Sequence, residues 1–169
     1  MPADRRSAIE LRRLLRDNEA DAQVLDVLRA EIAAVGARSG TLGPEALAYL
    51  AVKLHAWYTA FESILERIAR VVEGSQPAGP SYHQDLLRGM SLPLPEVRPA
   101  VIDAGRSAEL SELLAFRHFF RHAYAVALDE AELRRHAARL ERAHAGVRED
   151  LRVFERTLLG WISAVEQGS

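Results

Sequence analysis

The sequence predicts an all-α protein, an antiparallel bundle of four main helices plus a short one. Apolar residues recur at three- and four-residue spacing over most of the 169-residue chain. Alternating β-branched runs of the kind that form strands are missing. Gly and Pro cluster between the periodic stretches rather than inside them. At this length one domain, residues 1–169, can bury a core without covalent staples.

The bulk properties narrow the function classes. Hydrophobic residues make up 49% and charged residues 27%, an ordinary globular balance. With no cysteine, disulfides and thiolate metal sites are excluded. The start, MPADRRSAIELRR, carries charges where a secretory signal needs an apolar core, and no stretch approaches the roughly 20 apolar residues of a membrane span. A cytoplasmic protein without a membrane partner is expected. A net charge of −2 argues against broad, non-specific nucleic-acid binding, which requires many phosphates to be neutralised at once, and leaves room for a local basic site.

The first helix is expected from about Ser7 to Val35, on the spacing of Leu11, Leu14, Leu25, Leu28, Ile32 and Val35, with Gly36 as its stop. Asn18 and Asp21 interrupt that stripe. An exposed or fraying edge is expected there, since unpaired carboxylates are seldom buried, although buried polar residues fixing the register would also fit. The second helix starts at Pro44 and runs through Leu47, Leu50, Leu54, Trp57, Phe61, Ile64, Ile68 and Val71 to Gly74, a stripe that reads as core or dimer seam. His55 lies off this stripe and is expected to be solvated.

Residues 74–80, GSQPAGP, form a loop, and Ser81 with Gln84 fits the cap of a short helix carrying Leu86, Leu87 and Met90. Pro93, Pro95 and Pro99 then predict an extended path to about Asp103. The third main helix begins near Ser107. Asp129 with Glu132 marks a new helix start, so a turn is expected between about Ala123 and Leu128. The last helix is long, with Leu133, Ala137, Leu140, His144, Val147, Leu151, Phe154, Leu158, Trp161 and Val165 in register and Arg alternating with acidic residues elsewhere. His144, on the stripe, is expected to be a hydrogen-bonded core histidine, and His136 to belong to the polar face.

Residues 113–128, LLAFRHFFRHAYAVAL, stand apart because acid–base and phosphate-binding groups crowd into an apolar segment. On a helix Arg117, Arg121 and Tyr124 share a face, while His118 and His122 form a row roughly 100° away. Arg117, four residues, His122, one residue and Tyr124 spell R-x4-H-x-Y. This resembles the signature of the HEPN superfamily, and the fuller run FRHFFRHAY, preceded by DLLRGM and RPAV, is similar to the HepT-like toxins within it. The resemblance extends over nearly the whole chain.

The resemblance implies a HEPN-like bundle acting as a homodimer and as a metal-independent endoribonuclease with no cofactor, cleaving tRNA or mRNA. Arg117 and His122 point about 140° apart on one helix, so two copies across a twofold axis suit a shared cleft better than one copy does. By that resemblance His122 would move a proton at the ribose 2′-hydroxyl or the leaving 5′-oxygen, and Arg117 would grip the scissile phosphate. Arg121 would hold flanking phosphates. His118 stands where the family commonly has another polar residue, often Asn, and its role is less defined. Tyr124 resembles the residue that a partner nucleotidyltransferase antitoxin modifies with AMP, and phosphates there would repel RNA.

Three other readings compete. The aromatics could be core, with the Arg and His residues decorating an exposed edge. His118 and His122, at i,i+4, have the spacing of a zinc-binding pair but lack the glutamate of H-E-x-x-H and sit beside two cations. A non-catalytic helical module that binds a nucleotide or a partner would also carry these residues.

Overall fold

The computed structural model describes residues 5–122 and 128–167. These form five helices, α1 (Arg5–Gly36), α2 (Pro44–Ile68), α3 (Tyr82–Met90), α4 (Ser107–His122) and α5 (Glu130–Gln167), and no strand occurs among the described residues. None of the described helices is long and apolar enough to cross a membrane.

The long helices run up, down, up and down, as their cross-helix pairs show. Arg12 of α1 meets Glu166 near the end of α5, and Arg29 meets Glu141 towards its start. Lys53 of α2 reaches Glu31, while Arg67, further along α2, reaches back to Asp21. On the other side Glu109 and Glu112 of α4 pair with Arg142 and Arg139 of α5. The expected antiparallel bundle of four main helices plus a short one is what forms.

α2 touches all the other helices, and its sequence shows why. Leu50, Leu54, Trp57, Phe61, Ile64 and Ile68 are buried along one stripe, and Ala51, Tyr58, Glu62, Leu65 and Ala69 along an adjoining one. A helix apolar over so wide an arc is covered on several sides. The stripe is therefore core. It ends in a π-helical turn, Ala69–Glu73, and at Gly74, whose φ of 71° is a left-handed conformation that Gly adopts without strain.

Several expectations are corrected. α1 ends at Gly36 as expected, but without a left-handed conformation there. That conformation falls at Gly40, with φ 78°, and Gly36 lies where α5 packs close, a Cβ there sitting 3.4 Å from the Ala137 Cβ. Arg134 of α5 donates to the Gly36 and Gly40 carbonyls, satisfying groups that a helix end leaves open. Asn18 is buried rather than at a fraying edge, because Arg67 of α2 donates to both Asn18 Oδ1 and Asp21 Oδ2.

The proline-rich segment is a compact turn and not an extended path. Leu94 and Arg98 pair as an isolated antiparallel bridge around Glu96, whose φ is 63°. The buried Arg98 guanidinium gathers the carbonyls of Gly89, Leu92 and Pro99 and the carboxylate of Glu73. The Met90 carbonyl accepts from Val101 and Ile102. The DLLRGM and RPAV strings are thus one packed unit against α2. Asp129 caps α5 as expected, its Oδ1 accepting from the Glu132 N–H. The turn expected between Ala123 and Leu128 falls largely on residues 123–127, outside those described.

Candidate functional site

α2, α3 and α4 meet around a polar cluster that helical spacing forces inward. On α4, Arg117 continues the row Leu110, Leu113 and Leu114, all buried, and only 7% of Arg117 is exposed. On α3, His83 shares a face with Leu86, Leu87 and Met90. On α2, Glu62 sits in the second buried row and is 4% exposed. A guanidinium at such a position needs a carboxylate, and Glu62 supplies it.

The Glu62 carboxylate bridges a guanidinium and an imidazole. Its Oε2 lies 2.9 Å from an Arg117 terminal nitrogen, and its Oε1 lies 2.6 Å from His83 Nδ1. Arg117 Nε donates to Thr59 Oγ1 at 3.4 Å, and its other terminal nitrogen stands 3.5 Å from His83 Nε2. The His83 ring meets the His118 ring edge to face, 4.9 Å between centroids. Burial pushes the Glu62 carboxyl above the ordinary carboxylate range, against the pull of Arg117 and His83. Burial and Glu62 likewise raise the nearby Tyr58 phenol, and burial with the Glu66 hydrogen bond raises that of Tyr82, which donates to Glu66 at 2.7 Å.

The sequence-predicted residues divide. Arg117 and His118 enter the cluster, Arg117 inside the bundle rather than on an exposed strip and His118 half-buried at its rim. Arg121, one turn on from Arg117, is exposed. His122 ends α4, and its side chain, like Tyr124 altogether, lies outside the described residues. His55 is not solvated. Its ring packs 5.5 Å from that of Phe120, and burial, then Arg117 and Arg121, lower its pKa. His136 is buried too, not on the polar face, because α4 covers that side of α5 and Phe116 lies 4.7 Å from its ring.

Either side of α4 is grooved. A groove of about 500 Å³ between α3 and α4 is lined by Leu87, Arg88, Leu92, Ser111 and Leu114 among others. One of about 380 Å³ between α4 and α5 is lined by Phe119, Arg135, His136 and Arg139 with two carboxylates. Between them α4 turns outward Ala108, Ser111, Ala115 and Phe119, the last 46% exposed. Among the described residues no group of three or more His, Asp or Glu is placed to hold a metal ion.

Glu62 and His83 escaped the sequence reading, though signals existed. Glu62 is the one charged residue in the nine of WYTAFESIL, and His83 precedes Leu86, Leu87 and Met90 at helical spacing. Neither is adjacent in sequence to the segment it serves.

The up-down-up-down all-α bundle, with R-x4-H-x-Y beginning in its third main helix, α4, is consistent with a HEPN-like helical fold. The family described as HepT-like protein matches residues 49–158, more than half of the chain and every residue of the cluster, so the chain belongs to the HepT-like family of the HEPN superfamily. Membership supports a HEPN-type toxin. Neither the curated proteins nor the solved structures yield a match.

Proposed function

We propose that the chain is a HepT-like ribonuclease toxin of the cytoplasm, acting as a homodimer and as a single domain over residues 1–169. RNA, tRNA or mRNA, is cut by its own 2′-hydroxyl, leaving a 2′,3′-cyclic phosphate and a 5′-hydroxyl, with no metal or other cofactor in the reaction. His122 moves a proton, and Arg121 and Arg117 face the phosphate. A partner nucleotidyltransferase antitoxin silences the enzyme by placing AMP on Tyr124, beside these cations.

The observation that carries this reading is the anchored arginine. Glu62 takes the inner side of the Arg117 fork and fixes its direction, so the charge is pre-set rather than mobile, the condition under which a cation stabilises charge gathering on a phosphate most effectively. The outward face of α4, small residues and the exposed Phe119 inside the motif, suits a twofold contact that brings two motifs together. The same burial of Arg117 also fits a second reading, a non-catalytic module in which Arg117 is structural and α4 binds a nucleotide or the antitoxin.

Cleavage of labelled RNA by wild type beside His122→Ala separates the two. Loss of cleavage in the variant with an unchanged melting temperature supports the ribonuclease, and equal cleavage by both refutes it. Arg117→Ala is a weaker test, since it strands the Glu62 carboxylate inside the bundle.

A further inference from the structure

Cleavage by an internal 2′-hydroxyl moves two protons, one off the attacking oxygen and one onto the leaving 5′-oxygen. These oxygens lie on opposite sides of the phosphorus in an in-line displacement, so one imidazole cannot face both at once. The α4 segment offers His122. A second group is needed, and His83, from a different helix, stands 3.5 Å from an Arg117 terminal nitrogen.

We propose that His83 is the second acid–base residue of the RNA-cleaving site, the group that takes the proton from the attacking 2′-hydroxyl, with Glu62 holding its ring. The proposal rests on the ribonuclease reading above. A carboxylate 2.6 Å from Nδ1 fixes the tautomer with the proton on Nδ1 and leaves the Nε2 lone pair to accept. The ring is held edge to face against His118, and the side chain is 20% exposed at the rim of the cluster. Nε2 points to the Arg117 fork at 3.5 Å, a contact long enough for a phosphate oxygen and its neighbouring ribose to displace.

In the step, His83 Nε2 takes the 2′-hydroxyl proton as the 2′-oxygen bonds to phosphorus. The bond from phosphorus to the 5′-oxygen breaks, and that oxygen takes a proton from the His122 imidazolium. The imidazolium formed at His83 is offset by Glu62. The charged and titratable groups around it are Glu62 and Glu66 on α2, Arg117 and His118 on α4, and its neighbour Tyr82.

The test compares wild type, His83→Asn and His122→Ala on ordinary RNA and on RNA whose scissile 5′-oxygen is replaced by sulfur, a leaving group that needs no proton. Asn keeps a donor towards Glu62 but cannot take a proton. Both variants should cut ordinary RNA at least about 100-fold more slowly than wild type. Sulfur should restore His122→Ala to within about 10-fold of wild type and leave His83→Asn slow, and His83→Asn should lack the acid limb of the pH–rate profile. Wild-type rates in His83→Asn, or its rescue by sulfur, overturn the proposal while leaving the ribonuclease reading intact. Absence of cleavage by wild type sinks both. Melting curves of His83→Asn and His83→Gln show whether the fold survives, and a purely structural His83 would change melting without touching the pH profile or the sulfur effect.

Discussion

α2 carries two buried histidine clusters on different sides, and they are built differently. On the α1 and α5 side, Trp57 Nε1 donates to His144 Nδ1 at 3.3 Å, so the proton of this imidazole sits on Nε2 and goes to Asp26 Oδ1 at 3.0 Å. Arg148 binds the same Asp26 oxygen. Both ring nitrogens are spent, and the cluster staples three long helices together. On the α3 and α4 side, His83 has one nitrogen spent on Glu62 and the other facing a cation across a long contact. A buried histidine with two full partners is scaffolding. One with a half-used ring beside an arginine, at the edge of the bundle, can do chemistry.

The sharpest way to break this contrast is activity. His122→Ala should lower RNA cleavage by about 10²–10⁴-fold with melting unchanged, whereas His144→Gln should stay within a few-fold of wild type at temperatures where it is folded. Mixing inactive His83→Asn and His122→Ala chains extends the test. If the site combines His83 of one protomer with His122 of its partner, mixed dimers regain one intact site, and about a quarter of the wild-type rate returns. No recovery would confine each site to a single chain.

Stability should respond next. Glu62→Ala leaves the Arg117 guanidinium buried and unpaired, at a cost of about 3–5 kcal/mol in denaturant unfolding. Glu62→Gln, which keeps an acceptor, should cost less, and so should a Glu62→Gln, Arg117→Met double variant that removes both charges. If Glu62→Ala cost under about 1 kcal/mol, the carboxylate would not be what holds Arg117 inside.

The two clusters also titrate in opposite senses. Burial lowers the pKa of His144, His136 and His55 from the ordinary 6.5. The unfolded chain then binds protons more readily, so this contribution is whole above about pH 6.5 and is lost as pH falls towards the lowered folded values. Glu62, raised from 4.5, works the other way, its contribution whole below about pH 4.5 and lost as pH rises through the raised value. Unfolding free energy should therefore fall between about pH 7.5 and 5.5. His144→Gln should flatten that fall while costing about 1–3 kcal/mol at the upper pH. Glu62→Gln should remove the opposite trend that begins above about pH 4.5. A slope unaffected by His144→Gln would mean that its burial is not felt as proton affinity.

Much of the architecture was legible because helical period and core coincide. The α2 stripe, the long last helix, the Asp129 cap and His144 as a bonded core residue all appear where the spacing put them. What misled was reading each helix as having one buried face. His136 and Glu62 lie on second faces, buried because α2 has neighbours on several sides and α5 is covered by both α1 and α4, while Arg117 continues the main apolar row of α4. One helix's period cannot reveal that. Asn18 failed for a related reason, since its partner Arg67 lies 49 positions away. The motif was visible in order along α4, but the carboxylate and imidazole that complete it arrive from α2 and α3, and no local spacing links them.

The smallest expected effect concerns the start of α5, next to the motif's end. Asp129 accepts from the Glu132 N–H at 3.1 Å and places a negative charge at the helix N-terminus. Asp129→Ala should cost about 1 kcal/mol, a fall of roughly 2–4 °C in melting temperature, and Asp129→Asn, which keeps the acceptor, less. Cleavage should change by no more than about two-fold, because a cap acts on helix stability and not on proton transfer. A loss of activity well beyond that, with melting shifted only this far, would make the first turn of α5 part of the reactive cleft. The boundary between scaffold and site would then lie one helix further along the chain than Arg117, His83 and Glu62 place it.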